Sequence, residues 1–90
     1  MSYQISYTDE ARQALRTLPG NYRQRIRRLI ESLSDAPRPP TAKELRNLPN
    51  RYRLRLDNWR IIYRVDDEQM TILILRVRRK QGPETYQGVE

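Results

Sequence analysis

Between Asn50 and Tyr63 the chain reads Asn-Arg-Tyr-Arg-Leu-Arg-Leu-Asp-Asn-Trp-Arg-Ile-Ile-Tyr, with arginine alternating with apolar residues on both sides of a turn. Alternation with period two is the mark of a strand with two unlike faces. Asp57-Asn58 is predicted to close a two-residue hairpin, because both residue types tolerate the positive φ that primed turns require. That closure pairs Leu56 with Trp59, Arg55 with Arg60, Leu54 with Ile61, Arg53 with Ile62, Tyr52 with Tyr63 and Arg51 with Arg64. One face then carries Leu54, Leu56, Trp59, Ile61 and Tyr63, which read as core. The other gathers Arg51, Arg53, Arg55, Arg60 and Arg64 around Ile62. Like charges opposite one another in a sheet cost roughly 0.2 to 1 kcal/mol per pair. Charging an edge against aggregation is the plainer account of such a face; a polyanionic ligand is the other.

The overall balance points the same way. Eighteen Lys and Arg against eleven Asp and Glu give a net charge of +7 over 90 residues, and that sign favours nucleic acid, an anionic membrane or an acidic protein as partner. The length suits a single domain spanning residues 1–90. The chain has no cysteine and no histidine, so a disulfide framework, a thiolate metal site and the commonest general base are all excluded. No cofactor is expected. The apolar run Ile72–Leu75 falls far short of a membrane span, and the start Met-Ser-Tyr-Gln-Ile has no signal-peptide character. A cytoplasmic protein with no membrane partner is expected.

Tyr3, Ile5 and Tyr7 alternate with polar residues, as in a short strand with one buried face. Thr8 is a predicted N-cap, and Asp9 and Glu10 suit the first turn of a helix carrying Ala11, Leu15 and Leu18 on one face. Pro19-Gly20 ends it. Asn21 and Gln24 resemble a capping box for a second helix, whose stripe is Tyr22, Ile26, Leu29, Ile30 and Leu33. Arg23, Gln24, Arg27 and Glu31 are expected to face outward. Asp35–Thr41 is a proline-stiffened connector, and Lys43–Leu48 is predicted to form a helical turn. After the hairpin, a polar turn at 66–69 precedes a strand from Met70 to Val77. Apolar residues on both of its faces predict a central position with cover on both sides. The tail begins Arg78-Arg79-Lys80 and carries Tyr86. The expected architecture is α+β: a strand, two helices and a three-stranded meander form a small antiparallel-rich sheet, with the helices packed on one face.

This combination resembles the RelE/ParE superfamily of bacterial toxins from toxin–antitoxin pairs. The resemblance runs over nearly the whole chain. It is carried by Ala11 and Leu15 to Pro19, the segment Lys43-Glu-Leu-Arg-Asn-Leu-Pro49, the strand Tyr52-Arg-Leu-Arg-Leu56, then Trp59-Arg-Ile-Ile-Tyr63 and Tyr86. It implies a microbial-RNase-like fold and, in the RelE branch, cleavage of mRNA in the ribosomal A site. The family's two strand lysines fall on Arg53 and Arg55, its following arginine on Arg60, its late arginine on Lys80 and its tyrosine on Tyr86. Arg51, Arg64, Arg78 and Arg79 are assigned to RNA binding. The ParE branch is similar in fold and known for poisoning DNA gyrase, so a gyrase inhibitor without nuclease chemistry is one alternative. A non-catalytic basic RNA-binding module is another. The implied partners are an acidic antitoxin, mRNA and the ribosome.

The implied reaction is attack of a ribose 2′-hydroxyl on the adjacent phosphate. Arg53, Arg55 and Arg60 suit charge stabilisation, since a guanidinium forks onto two phosphate oxygens. An arginine is a poor proton acceptor, so proton transfer falls to Tyr86, Lys80 or Glu84, with Glu44 a more distant candidate.

Overall fold

The computed structural model describes residues 2–79; Lys80, Glu84 and Tyr86 lie outside the described residues. Along the chain come β1 (Gln4–Tyr7), α1 (Asp9–Thr17), α2 (Gly20–Ser32), β2 (Lys43–Glu44), β3 (Arg51–Leu56), β4 (Trp59–Asp66) and β5 (Thr71–Arg79). The strands form one sheet in the order β1-β5-β4-β3-β2. β1 runs parallel to β5 and every other pair is antiparallel. Both helices cover one side of this sheet, giving the α+β arrangement expected. Ala11, Leu15 and Leu18 from the first helix region and Ile26, Ile30 and Leu33 from the second meet Leu54, Ile61, Tyr63, Val65, Ile72, Ile74 and Val77 in a single core.

Thr8 caps α1 as its sequence suggests, accepting from the Ala11 amide at 3.1 Å. Its hydroxyl also donates to the Leu75 carbonyl at 2.8 Å, so one side chain joins the helix start to β5. The predicted Asn21 capping box does not form. The helix begins at Gly20 with Pro19 as its N-cap and no side-chain cap bond, which places Asn21 already inside the first turn. Arg23 is exposed, as expected, but its guanidinium is engaged with the end of α1. Its Nε donates to the Leu15 carbonyl at 3.2 Å and its Nη2 to those of Arg16 at 2.8 Å and Leu18 at 3.2 Å. These carbonyls lie at the end of α1, where helical partners run out and only that of Leu15 accepts a backbone amide, from Leu18 at 3.4 Å, so a cation there helps satisfy them and opposes the negative end of the helix dipole.

The Lys43–Leu48 segment is not a helical turn throughout. Lys43 and Glu44 pair with Arg53 and Tyr52 as an edge strand, and a turn follows in which Asn47 and Asn50 adopt φ of 64°. The open backbone edge of β3 offers ladder bonds that a lone helical turn cannot match. β5 is interior, between β1 and β4, but β4 is the middle strand. Cover on β5 is also one-sided: Ile72, Ile74 and Val77 are buried while Leu73 and Leu75 are half-buried.

The β3–β4 hairpin has the predicted register at all six pairs, from Arg51↔Arg64 to Leu56↔Trp59. At the tip Asp57 takes positive φ, 52°, without Asn58 doing so. The Asp57 carboxylate accepts from Tyr22 Oη at 3.1 Å and Arg25 Nη1 at 3.2 Å, which holds the tip against α2. At the other end, Arg38 of the connector forks onto Asp67 at 3.2 and 2.8 Å and donates to Tyr52 Oη at 2.8 Å. Arg38 and the Tyr3 hydroxyl, 2.7 Å away, hold the Asp67 carboxyl below its usual range. Tyr63 is fully buried and donates to the Pro37 carbonyl at 2.8 Å.

Burial pushes the Tyr63 phenol up. Below the ordinary phenol value, about 10, folded and unfolded chains both keep the proton and stability is unaffected. Above it only the unfolded phenol ionises, so stability falls as pH rises. Thermal unfolding followed against pH should show this alkaline loss, smaller in Tyr63→Phe. A second expectation concerns Arg64, which faces Arg51 across the hairpin. Arg64→Gln should raise stability by a few tenths of a kcal/mol, and added salt should stabilise the wild type more than the variant. Calorimetry at low and high salt measures both.

Candidate nucleic-acid interface

Alternation along β3 sends Tyr52, Leu54 and Leu56 toward the helices and Arg51, Arg53 and Arg55 to the open side. β4 continues the open side through the registers Arg55↔Arg60, Arg53↔Ile62 and Arg51↔Arg64. β5 brings its cations to the same side only because of a register shift. Tyr63 pairs with Ile74 whereas Ile62 pairs with Arg76, which leaves Leu75 as an extra residue. Strict alternation from Ile72 and Ile74 carries Arg76 and Arg78 into the core; the bulge resets the phase. Val77 then faces the core opposite Ile61, and Arg78 lines up with Arg60 on the open side.

The open face therefore contains two cross-strand rows. In one, Arg55, Arg60 and Arg78 follow one another across β3, β4 and β5; in the other, Lys43, Arg53, Ile62 and Arg76 run across four strands. Neighbouring strands lie about 4.8 Å apart, so successive cations stand within reach of adjoining phosphates. Arg55, Arg64 and Arg78 are exposed, and Arg51, Arg53, Arg60 and Arg76 half-buried. The Nε of Arg60 is buried, so its guanidinium lies close to the sheet.

The structure thus brings together Arg51, Arg53, Arg55, Arg60, Arg64 and Arg78 from the predicted set. Arg79 is not brought there. It pairs with Trp59 and so stands on the helix side of the sheet, since neighbours on a strand alternate faces. Glu44 pairs with Tyr52 and also belongs to the helix side, which separates it from any phosphate bound among the arginines. Lys80 and Tyr86 lie outside the described residues.

Three residues of this face were not foreseen. Lys43 arrives through β2, and Arg76 through the bulge. The third is Glu10, whose Oε2 lies 3.5 Å from Arg78 Nη2 and 3.8 Å from Arg76 Nε. Its position in the first turn of α1 explained it as a dipole charge, yet that helix starts beside β5 and its first turn overhangs the basic face. The spacing Arg76-Val77-Arg78 is the signal that could have found Arg76. Beside Glu10 a cavity of ≈ 240 Å³ is lined by Thr8, Glu10, Arg51, Ile62, Leu75 and Arg76. On the far side a wider hollow of ≈ 540 Å³ lies between α1 and α2, bordered by Arg12, Arg16, Arg27 and Glu31 among others. Among the described residues no group of carboxylates could hold a metal ion, and no helix is long and apolar enough to cross a membrane.

Guanidinium groups gathered on a solvent-facing sheet can bind and neutralise phosphate oxygens, and keep their charge at any physiological pH. Known proteins are similar to this chain in sequence and fold. The mRNA interferase toxin RelE of Escherichia coli K12 is 25% identical over 88 residues, covering 96% of this chain and 92% of that protein. A chain of the toxin–antitoxin complex RelBE2 from Mycobacterium tuberculosis is 32% identical at a TM-score of 0.77, over 89% of this chain and 100% of that one. The archaeal RelE–RelB complex from Pyrococcus horikoshii OT3 gives a TM-score of 0.81 at 25% identity, over 92% of this chain and 100% of that one. The family model for the ParE toxin of type II toxin–antitoxin systems matches residues 5–82. With that match over most of its length, the chain belongs to the RelE/ParE superfamily of toxins from type II toxin–antitoxin systems.

Proposed function

We propose that this toxin is an endoribonuclease that cuts mRNA, presented by the ribosome, through attack of a ribose 2′-hydroxyl on the neighbouring phosphate. The observation that carries this reading is the gathering of Arg53, Arg55 and Arg60 on one open face by the hairpin register, at the positions the RelE resemblance assigns to the cut. In the reaction the 2′-oxygen forms a bond to phosphorus while the bond to the 5′-oxygen breaks, leaving a 2′,3′-cyclic phosphate and a 5′-hydroxyl. The three arginines hold the phosphate in line and offset the charge that grows on its oxygens. They cannot take the 2′-proton. Proton transfer is assigned to the tail that carries Lys80 and Tyr86.

The partner in this reading is an acidic antitoxin. The Mycobacterium tuberculosis and Pyrococcus horikoshii relatives were solved as complexes with their antitoxins, and a chain of net charge +7 complements an acidic segment that wraps it. The ParE name of the matching family model favours a second reading, a gyrase poison with no chemistry of its own.

Expression without a partner should arrest growth and produce mRNA ends concentrated inside translated reading frames, as mapped by end sequencing. Arg60→Ala, at equal soluble level, should lose about 10²-fold of that cleavage, and Arg53→Ala or Arg55→Ala alone should lose less. Intact mRNA with gyrase-dependent DNA breaks would replace this reading with the second.

A further inference from the structure

The basic face read from sequence has nothing on it that distinguishes one base from another. The folded chain adds a feature of that kind. Ile62, 5% exposed, lies between Arg53 and Arg76 in one cross-strand row, and with Leu75 it gives an apolar surface to the ≈ 240 Å³ cavity beside them. The rim carries both signs of charge: the Glu10 carboxylate and the guanidinium groups of Arg51 and Arg76. The Thr8 hydroxyl is already engaged, donating to Leu75 and accepting from Ala11. The other polar groups that line the cavity are therefore one carboxylate and the neighbouring guanidinium groups.

We propose that this cavity is a base-reading subsite of the RNA face, which takes a guanine and recognises it through Glu10. The inference rests on the reading of that face as an RNA site. An apolar floor suits the flat surface of a base. Guanine alone among the four bases presents two adjacent N–H donors, N1–H and the N2 amino group, that a carboxylate accepts together, and on its other edge the acceptors O6 and N7 that an arginine forks onto. Adenine turns its N1 lone pair toward the carboxylate and is repelled. Cytosine and uracil each offer one donor group where guanine offers two. The contacts of Glu10 with Arg76 and Arg78 are long, 3.8 and 3.5 Å, and about half exposed. Such pairs contribute little, so the carboxylate exchanges them for a base without a large penalty.

The test is a binding titration with 2′-O-methyl trinucleotides AGA, AAA, ACA and AUA, which lack the nucleophile and cannot be cut. The wild type should bind AGA at least about fivefold tighter than the other three. In Glu10→Gln, with folding checked by circular dichroism, that ratio should fall below about twofold. AAA should bind equally or more tightly, because a negative charge has left the face. No preference in the wild type, or one that survives in Glu10→Gln, overturns the subsite. A preference for AGA in a protein that leaves mRNA intact on induction overturns the nuclease reading and keeps the subsite.

Discussion

Everything on the open face depends on the hairpin keeping one register. A slip by a single residue exchanges the two faces of a strand, and here that exchange buries Arg51, Arg53 and Arg55 where Tyr52 and Leu54 now sit. An ion taken out of water without full compensation costs several kcal/mol, whereas crowding like charges on a wet surface costs about 1 kcal/mol or less per pair. The chain therefore accepts the smaller cost to avoid the larger one. Leu54, Ile61 and Tyr63, all at 1% exposure or below, are what lock the choice, so the apolar side of the hairpin enforces the geometry of the charged side.

The hairpin is also pinned at both ends from the helix side. Asp57 at its tip meets Tyr22 and Arg25 of α2; Tyr52 near its base meets Arg38, which in turn clamps Asp67. Exposed ion pairs of this type contribute little stability, but each fixes a position. Arg38 of the connector and Tyr3, the residue before β1, thereby both hold Asp67 in the turn before β5. Thr8 performs the same service nearer the site, joining α1 to β5 with one hydroxyl. Cations held on a rigid platform need no rearrangement when charge develops on a bound phosphate.

The hairpin and its two faces were readable from the sequence because a period-two pattern over fourteen residues, broken by one turn, admits few alternatives. The helix stripes were readable for a similar reason. What escaped were features decided by neighbours distant in sequence. β2 exists because β3 has an open edge, which nothing in Lys43–Leu48 announces. Arg23 looks like a solvated helix residue until the end of α1 is laid beside it. Arg78 and Arg79 read as one basic run, yet adjacent residues of a strand point opposite ways, and only the pairing with Arg60 and Trp59 separates them. Glu10 was explained fully by its own helix, and that local sufficiency hid its place beside Arg76 and Arg78.

The single extra residue in β5 works as a phase shifter. Upstream of Leu75 the even-numbered positions of the strand belong to the core, and beyond it they belong to the basic face. Loss of one residue at that point reverses the assignment of all that follows, driving Arg76 and Arg78 inward and Val77 outward, although no side chain type has changed. The stretch Arg76–Arg79 is therefore constrained in length as well as in the kind of residue at each position, with Val77 kept apolar by the core.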